Sequence, residues 1–122
     1  MSSRLHNYVR TYRRRSSLTQ QDVAFLLGSK ERTKVSRYEH GHRLPSLRTA
    51  LALAAILDAS PATLFGGVHQ QVQKNIAERI AILRSEIEHK HGQGRMPALA
   101  SRQLRWLDDH HGPAQSNEHQ EL

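Results

Sequence analysis

The 122 residues contain no cysteine. Disulfides and cysteine-ligated zinc or iron–sulfur centres are therefore excluded, and the usage fits a reducing cytoplasm. Long apolar runs are also missing. The longest, ALALAAIL at 50–57, falls far short of the about 20 residues a membrane span needs and reads as a core helix. The opening MSSRLHNYVRTYRRR has no apolar h-region, so no secretory signal is expected. No stretch alternates polar and apolar residues in the manner of a strand. No Ser-His-Asp set, phosphate-binding loop or HExxH pattern occurs, so neither an enzyme nor a cofactor is expected. The histidine clusters His89/His91 and His110/His111 lie where helices should end, where they favour the negative pole of the dipole, and no metal site is read there.

Acidic residues are scarce in one half only. Residues 1–65 carry 11 Lys and Arg against 4 Asp and Glu, whereas residues 66–122 carry 7 of each. The whole net charge of +7 thus sits in the first half. A field concentrated in this way favours a polyanion, nucleic acid ahead of an anionic membrane. The arginine run of the first helix has no strong apolar anchor beside it, which counts against the membrane.

What is present is helical periodicity. A first helix is expected from about Leu5 to Arg15, with Leu5, Val9 and Tyr12 on one face. SSLTQQDVAFLLG restarts the pattern: Thr19 is an N-cap, Asp22 suits the positive helix end, and Gly28 suits a left-handed C-cap. A third helix follows and stops near Gly41. In the HGHRLPS loop, Pro45 holds Leu44 extended and Ser46 caps the next helix. Leu47 to Leu57 is apolar on most sides and is expected at the centre of the core. Ser60-Pro61 opens a short helix ending at Leu64-Phe65. Gly66-Gly67 reads as a boundary and a possible hinge. Beyond it, Val72, Ile76, Ile80, Leu83 and Ile87 form a stripe on a long polar helix ended by Gly92 and Gly94. Pro97 starts a last helix carrying Leu99, Leu104, Trp106 and Leu107. The expected division is 1–66, 67–111 and a disordered tail at 112–122.

In the third helix, about 100° of rotation per residue puts Val35 and Tyr38 on one face and Thr33, Ser36 and Arg37 on the other. The outward set is made of donors: Arg suits the O6 and N7 edge of guanine, and Thr or Ser can reach several bases. Arg32 and Lys34 flank the set and suit phosphate. TQQDVAFLLG is placed to brace this helix across a duplex backbone. The start of that brace, at Thr19 with the Gln20 side chain and free N–H groups, can hold a phosphate.

LTQQDVAFLLG…VSRYEHGHRLPSLRTALALAAIL resembles the lambda-repressor-like helix-turn-helix family of Cro/Xre type. The shared pieces are Thr19-Gln20, Val23-Ala24, Leu27-Gly28, Val35-Ser36-Arg37-Tyr38-Glu39, Gly41, Pro45-Ser46 and the helix from Leu47 to Leu57. The resemblance covers about residues 5–65 and implies an all-α chain, a five-helix domain followed here by two C-terminal helices. It implies sequence-specific binding of double-stranded DNA, usually as a homodimer, by a regulator, here read as a repressor in a bacterial or phage cytoplasm. It places Arg32, Thr33 and Arg37 at base edges, and Gln20, Lys34 and Arg43 at the phosphate backbone. It also implies a structural ion pair between Arg13 and Glu39. One departure stands out: six residues separate Gly28 from Val35, one more than the family pattern. Either the turn is longer or the third helix starts early, near Ser29 or Lys30.

The stripe from Val72 to Ile87 recurs at about 3.75 residues, which does not favour a long left-handed coiled coil. It can pack on the chain's own last helix or on a second copy. The second copy is favoured here, because one such domain alone reads few bases. A different reading is an antitoxin-like DNA-binding protein whose C-terminal helices hold a partner protein.

Overall fold

The computed structural model describes residues 5–91, 94 and 96–112. Among them are seven helices and no strand: α1 Val9–Arg15, α2 Gln20–Leu26, α3 Arg32–Glu39, α4 Leu47–Leu57, α5 Pro61–Leu64, α6 Gly66–His91 and α7 Ala98–His111. The described residues are therefore all-α, a five-helix domain followed in sequence by two further helices. It divides into two compact units, residues 1–72 and 73–122.

In the first unit, Val9, Val23, Ala24, Val35, Tyr38, Leu53, Leu57, Leu64 and Phe65 form one buried cluster. Each of α1 to α5 contributes at least one of these. Burying a residue of Val or Leu size is worth about 1.5–3 kcal/mol, so the cluster accounts for the cohesion of the five short helices.

The first helix starts later than its periodicity suggests. Residues 5–8 are not helical. The Tyr8 N–H donates to the Leu64 carbonyl at 2.7 Å, and the His6 carbonyl accepts from Gly67 N–H at 3.1 Å. Asn7 Oδ1 accepts from Val9 N–H at 3.1 Å, the local bond by which Asn competes with helix. Leu5 to Tyr8 is thus tied to the α5–α6 junction instead of extending α1.

The core position expected for α4 also needs correcting. Only Leu53 and Leu57 of this helix are buried, while Leu47 is 75% and Leu51 52% exposed. A domain of this size lacks the surface to cover a helix on every side. The leucines turned away from the cluster remain on the outside.

Gly66 and Gly67 do not interrupt the chain; they form the first residues of α6. A Cβ on Gly67 would lie 2.8 Å from the His6 carbonyl oxygen, so the close approach of the segment before α1 explains the small residue there.

In the second unit, Ile87, Ala100 and Leu107 are buried together, with Ile80, Met96 and Leu104 packed against them. Arg84 pairs with Asp108 across α6 and α7 in an exposed setting, where an ion pair contributes little. Of the apolar residues expected to carry α7, Leu99 and Trp106 are exposed. Trp106 instead stacks on His110, one turn on, with ring centroids 4.2 Å apart. The expected α6 stop at Gly92 and residues 113–122 of the expected 112–122 tail lie outside the described residues.

Candidate nucleic-acid interface

The local signals at α2 and α3 are side-chain and glycine caps. Thr19 Oγ1 accepts from Asp22 N–H at 3.0 Å, and Asp22 Oδ2 accepts from Thr19 N–H at 2.9 Å. This reciprocal box satisfies two N–H groups at the start of α2. The Thr19 backbone N–H first, and the Thr19 hydroxyl second, hold the Asp22 carboxyl below its ordinary value of 3.8. At the other end, Ser29 N–H donates to the Ala24 carbonyl at 2.8 Å. After α3, His42 N–H donates to the Arg37 carbonyl at 2.9 Å. Both closures need a left-handed residue between, and Gly28 (φ 81°) and Gly41 (φ 72°) supply it without a Cβ penalty.

The additional residue lies in the turn. The N-cap of α3 is Glu31, and Ser29 Oγ accepts from Glu31 N–H at 3.1 Å. The turn is longer, and α3 does not begin early. Glu31 makes no side-chain capping bond, and the first turn of α3 has no acidic residue. Arg32 and Lys34 therefore sit at the positive end of a helix dipole, an arrangement that an external anion relieves.

The inner face of α3 is held by polar contacts as well as by Val35 and Tyr38. Arg13 Nε donates to Glu39 Oε2, and Arg13 Nη2 donates to Oε1 at 3.3 Å. Gln20 Nε2 donates to the same Oε1 at 3.0 Å, and Arg13 Nη1 donates to the Leu18 carbonyl at 2.9 Å. The Glu39 side chain is 1% exposed. A carboxylate so buried is tolerable only when paired and hydrogen-bonded, and here three donor groups reach it. Asn7 Nδ2 adds a bond to the Tyr38 carbonyl at 2.8 Å. Residues of α1, of the start of α2 and of the segment before α1 thus converge on the end of α3.

The outer face is open. Arg32, Thr33, Lys34 and Arg37 are exposed and Ser36 is half-buried. Among the described residues, neither Arg32 nor Arg37 has an ion-pair or hydrogen-bond partner for its guanidinium. Lys34 lies to one side, lining a small cleft with Glu31, Val35 and Thr49. Arg43 is exposed on the loop that follows. Arg32, Thr33 and Arg37 therefore share one helix, with Lys34 at its flank and Arg43 beyond its end. Thr19 and Gln20 stand at the start of α2, where Gln20 is also bonded to Glu39.

Two residues are absent from the reading of the sequence. Asn7 was hidden because its role depends on the backbone of a helix 31 positions away. His40 lies on the same outward arc as Thr33 and Arg37 at 100° per residue, a signal that periodicity carries. It is exposed, and its Nδ1 lies 2.8 Å from the Ser36 carbonyl.

The α2–turn–α3 pair, with α3 braced from behind and bare in front, is the geometry of a helix-turn-helix DNA-binding protein. Residues 4–64 match the family described as a helix-turn-helix domain, which is half of the chain, and the chain belongs to that family. Comparison with curated proteins and with solved structures finds no match. Among the described residues, no helix is long and apolar enough to cross a membrane.

Proposed function

We propose that this protein is a sequence-specific regulator of transcription, a repressor of Cro/Xre type, that reads the major groove of duplex DNA with α3. The observation that carries the reading is the contrast between the two sides of α3. Its inner side is fixed by Arg13, Gln20 and Glu39, and its outer side presents Thr33 and Arg37 with no side-chain partner among the described residues. In this reading Arg37, Thr33 and Arg32 face base edges, while Lys34, Arg43, Thr19 and Gln20 hold phosphates on either side. The second N–H of the Gln20 amide remains for a phosphate after its bond to Glu39.

Residues 1–66 then act as the DNA-binding domain and 67–111 as an assembly segment, with no catalytic role. Of the apolar stripe, Ile87 is buried and Ile80 packs against the same cluster, whereas Val72, Ile76 and Leu83 remain exposed. Those three are the proposed face for a second copy, giving a homodimer that spans two half-sites about 34 Å apart. The site of action is the nucleoid of a bacterial or phage-infected cytoplasm. A band-shift titration against genomic fragments at moderate salt tests the reading. One or more fragments should be retained well ahead of random DNA, and equal retention of all sequences would refute it.

A second reading is favoured by a separate observation. Leu99 and Trp106 of α7 are also exposed, at 61% and 52%. Apolar side chains in such number on a small unit suit a partner protein, as in an antitoxin. Co-purification of a small protein in fixed ratio supports this reading, and a clean homodimer opposes it.

A further inference from the structure

His40 is the C-cap of α3 and stands on the helix arc that carries Thr33 and Arg37. Its ring is held on one side by a hydrogen bond within α3. Nδ1 lies 2.8 Å from the Ser36 carbonyl oxygen, with the Ser36 hydroxyl 3.4 Å away. A carbonyl can only accept, so Nδ1 carries the proton, and the neutral ring keeps Nε2 as an acceptor. Protonation turns Nε2 into a donor. A duplex presents acceptors to this face: phosphate oxygens, and N7 and O6 of guanine.

The charged surroundings are one-sided. The His42 ring lies edge-on with its centroid 5.8 Å away. Arg37 is on the same helix arc, and Arg43 follows in the loop. Glu39, the acidic neighbour in sequence, is turned inward onto Arg13. Among the other elements of this unit, α1 carries Arg10, Arg13, Arg14 and Arg15, α4 carries Arg48, and the carboxylate of α2, Asp22, is engaged with Thr19. The remaining carboxylates of residues 5–72, Glu31 and Asp58, cap the start of α3 and the end of α4, whereas a bound duplex brings many negative charges.

We infer that His40 is a further duplex-contacting residue, which donates from Nε2 in its protonated form to an acceptor atom of the DNA, so that binding takes up a proton. The inference rests on the reading of α3 as the groove-facing helix. Histidine is the side chain suited to this because its charge changes between about pH 5 and 8.

The test begins with duplexes selected from a random pool by the wild-type protein. Affinity is then measured by fluorescence anisotropy at about pH 6 and about pH 8 at fixed ionic strength. Binding should tighten several-fold toward the lower pH, up to a ceiling of about tenfold per pH unit for one proton. His40→Asn, which retains a residue tolerated at helix ends, should flatten the dependence, while His42→Asn keeps it. Thermal unfolding confirms that each variant is folded. A repeat selection with His40→Asn separates the two acceptor classes: a base contact relaxes preference at one position, and a phosphate contact weakens all sequences alike. Specific binding that is pH-independent, or a full pH dependence retained in His40→Asn, overturns the inference and leaves the DNA-reading proposal standing. Absence of any preferred sequence removes both.

Discussion

Arg13 of α1 grips Glu39 of α3 with two guanidinium nitrogens, and the carboxylate is almost wholly removed from solvent. The contact ties α1 to α3 through side chains as well as through the apolar cluster. Because Glu39 is the last residue of α3, the contact also sets the direction in which Arg37 and Thr33 point. Truncating one partner leaves a buried group without its counter-charge, at a cost of about 3–5 kcal/mol. Glu39→Gln is expected to lower the melting temperature markedly in calorimetry or circular dichroism. An unchanged melting temperature would mean that Gln20 and solvent replace the pair.

Arg37→Ala and Lys34→Ala should separate in kind. Loss of a bidentate base contact costs about 1–3 kcal/mol of discrimination, so Arg37→Ala should relax preference at one position of the selected sequence. Lys34→Ala should weaken all sequences alike and reduce the salt slope by about one. Affinities measured over a salt series on matched and mismatched duplexes decide this.

The capping box at Thr19 and Asp22 makes a pH prediction. The Asp22 carboxyl is held below its ordinary value by the Thr19 N–H and hydroxyl, so the folded state binds its proton less tightly than the unfolded chain does. Its stabilising contribution is complete above the ordinary value of 3.8 and is lost as pH falls through the lowered value. Asp22→Asn should therefore be less stable than wild type at neutral pH, and the difference should shrink in acid. Urea unfolding at several pH values measures it.

Ser17 follows α1 with φ at 60°, a left-handed conformation that costs an L-residue roughly 1–2 kcal/mol. Leu18 N–H donates to the Arg13 carbonyl across it at 3.2 Å, the same closure that Gly28 and Gly41 make elsewhere. Ser17→Gly should raise the melting temperature by a few degrees without altering DNA affinity. A lower melting temperature would show that the gain in unfolded-chain entropy dominates.

Ile76 and Leu83 are exposed, so Ile76→Glu and Leu83→Glu should fold normally. If these residues meet a second copy, the double variant should sediment as a monomer and bind a palindromic site far more weakly than the wild type. A wild-type monomer at micromolar concentration would refute the proposed homodimer.

The start of α1 illustrates where the sequence ceases to inform. Leu5, Val9 and Tyr12 have helical spacing, yet only the last two lie on the helix, because the backbone partners of His6 and Tyr8 come from residues about 60 positions away. The exposed leucines of α4 make the same point. Their apolar character is local, but whether they are covered depends on how much chain is there to cover them.

The sequence by itself determined where α2, α4 and α5 begin and where α2 and α3 stop, because Thr19, Ser46, Ser60, Gly28 and Gly41 act through bonds to residues at most five away. It also determined that the basic charge sits in the first half and that Thr33 and Arg37 share a face of α3. Tertiary structure alone decided that the additional residue lengthens the turn, that Asn7 reaches the end of α3, that Gln20 joins Arg13 on Glu39, and that the stripe on α6 is split between buried Ile87 and exposed Ile76 and Leu83. Those outcomes depend on which distant groups compete for one carboxylate, one carbonyl or one apolar face, and that competition is settled only when the helices pack.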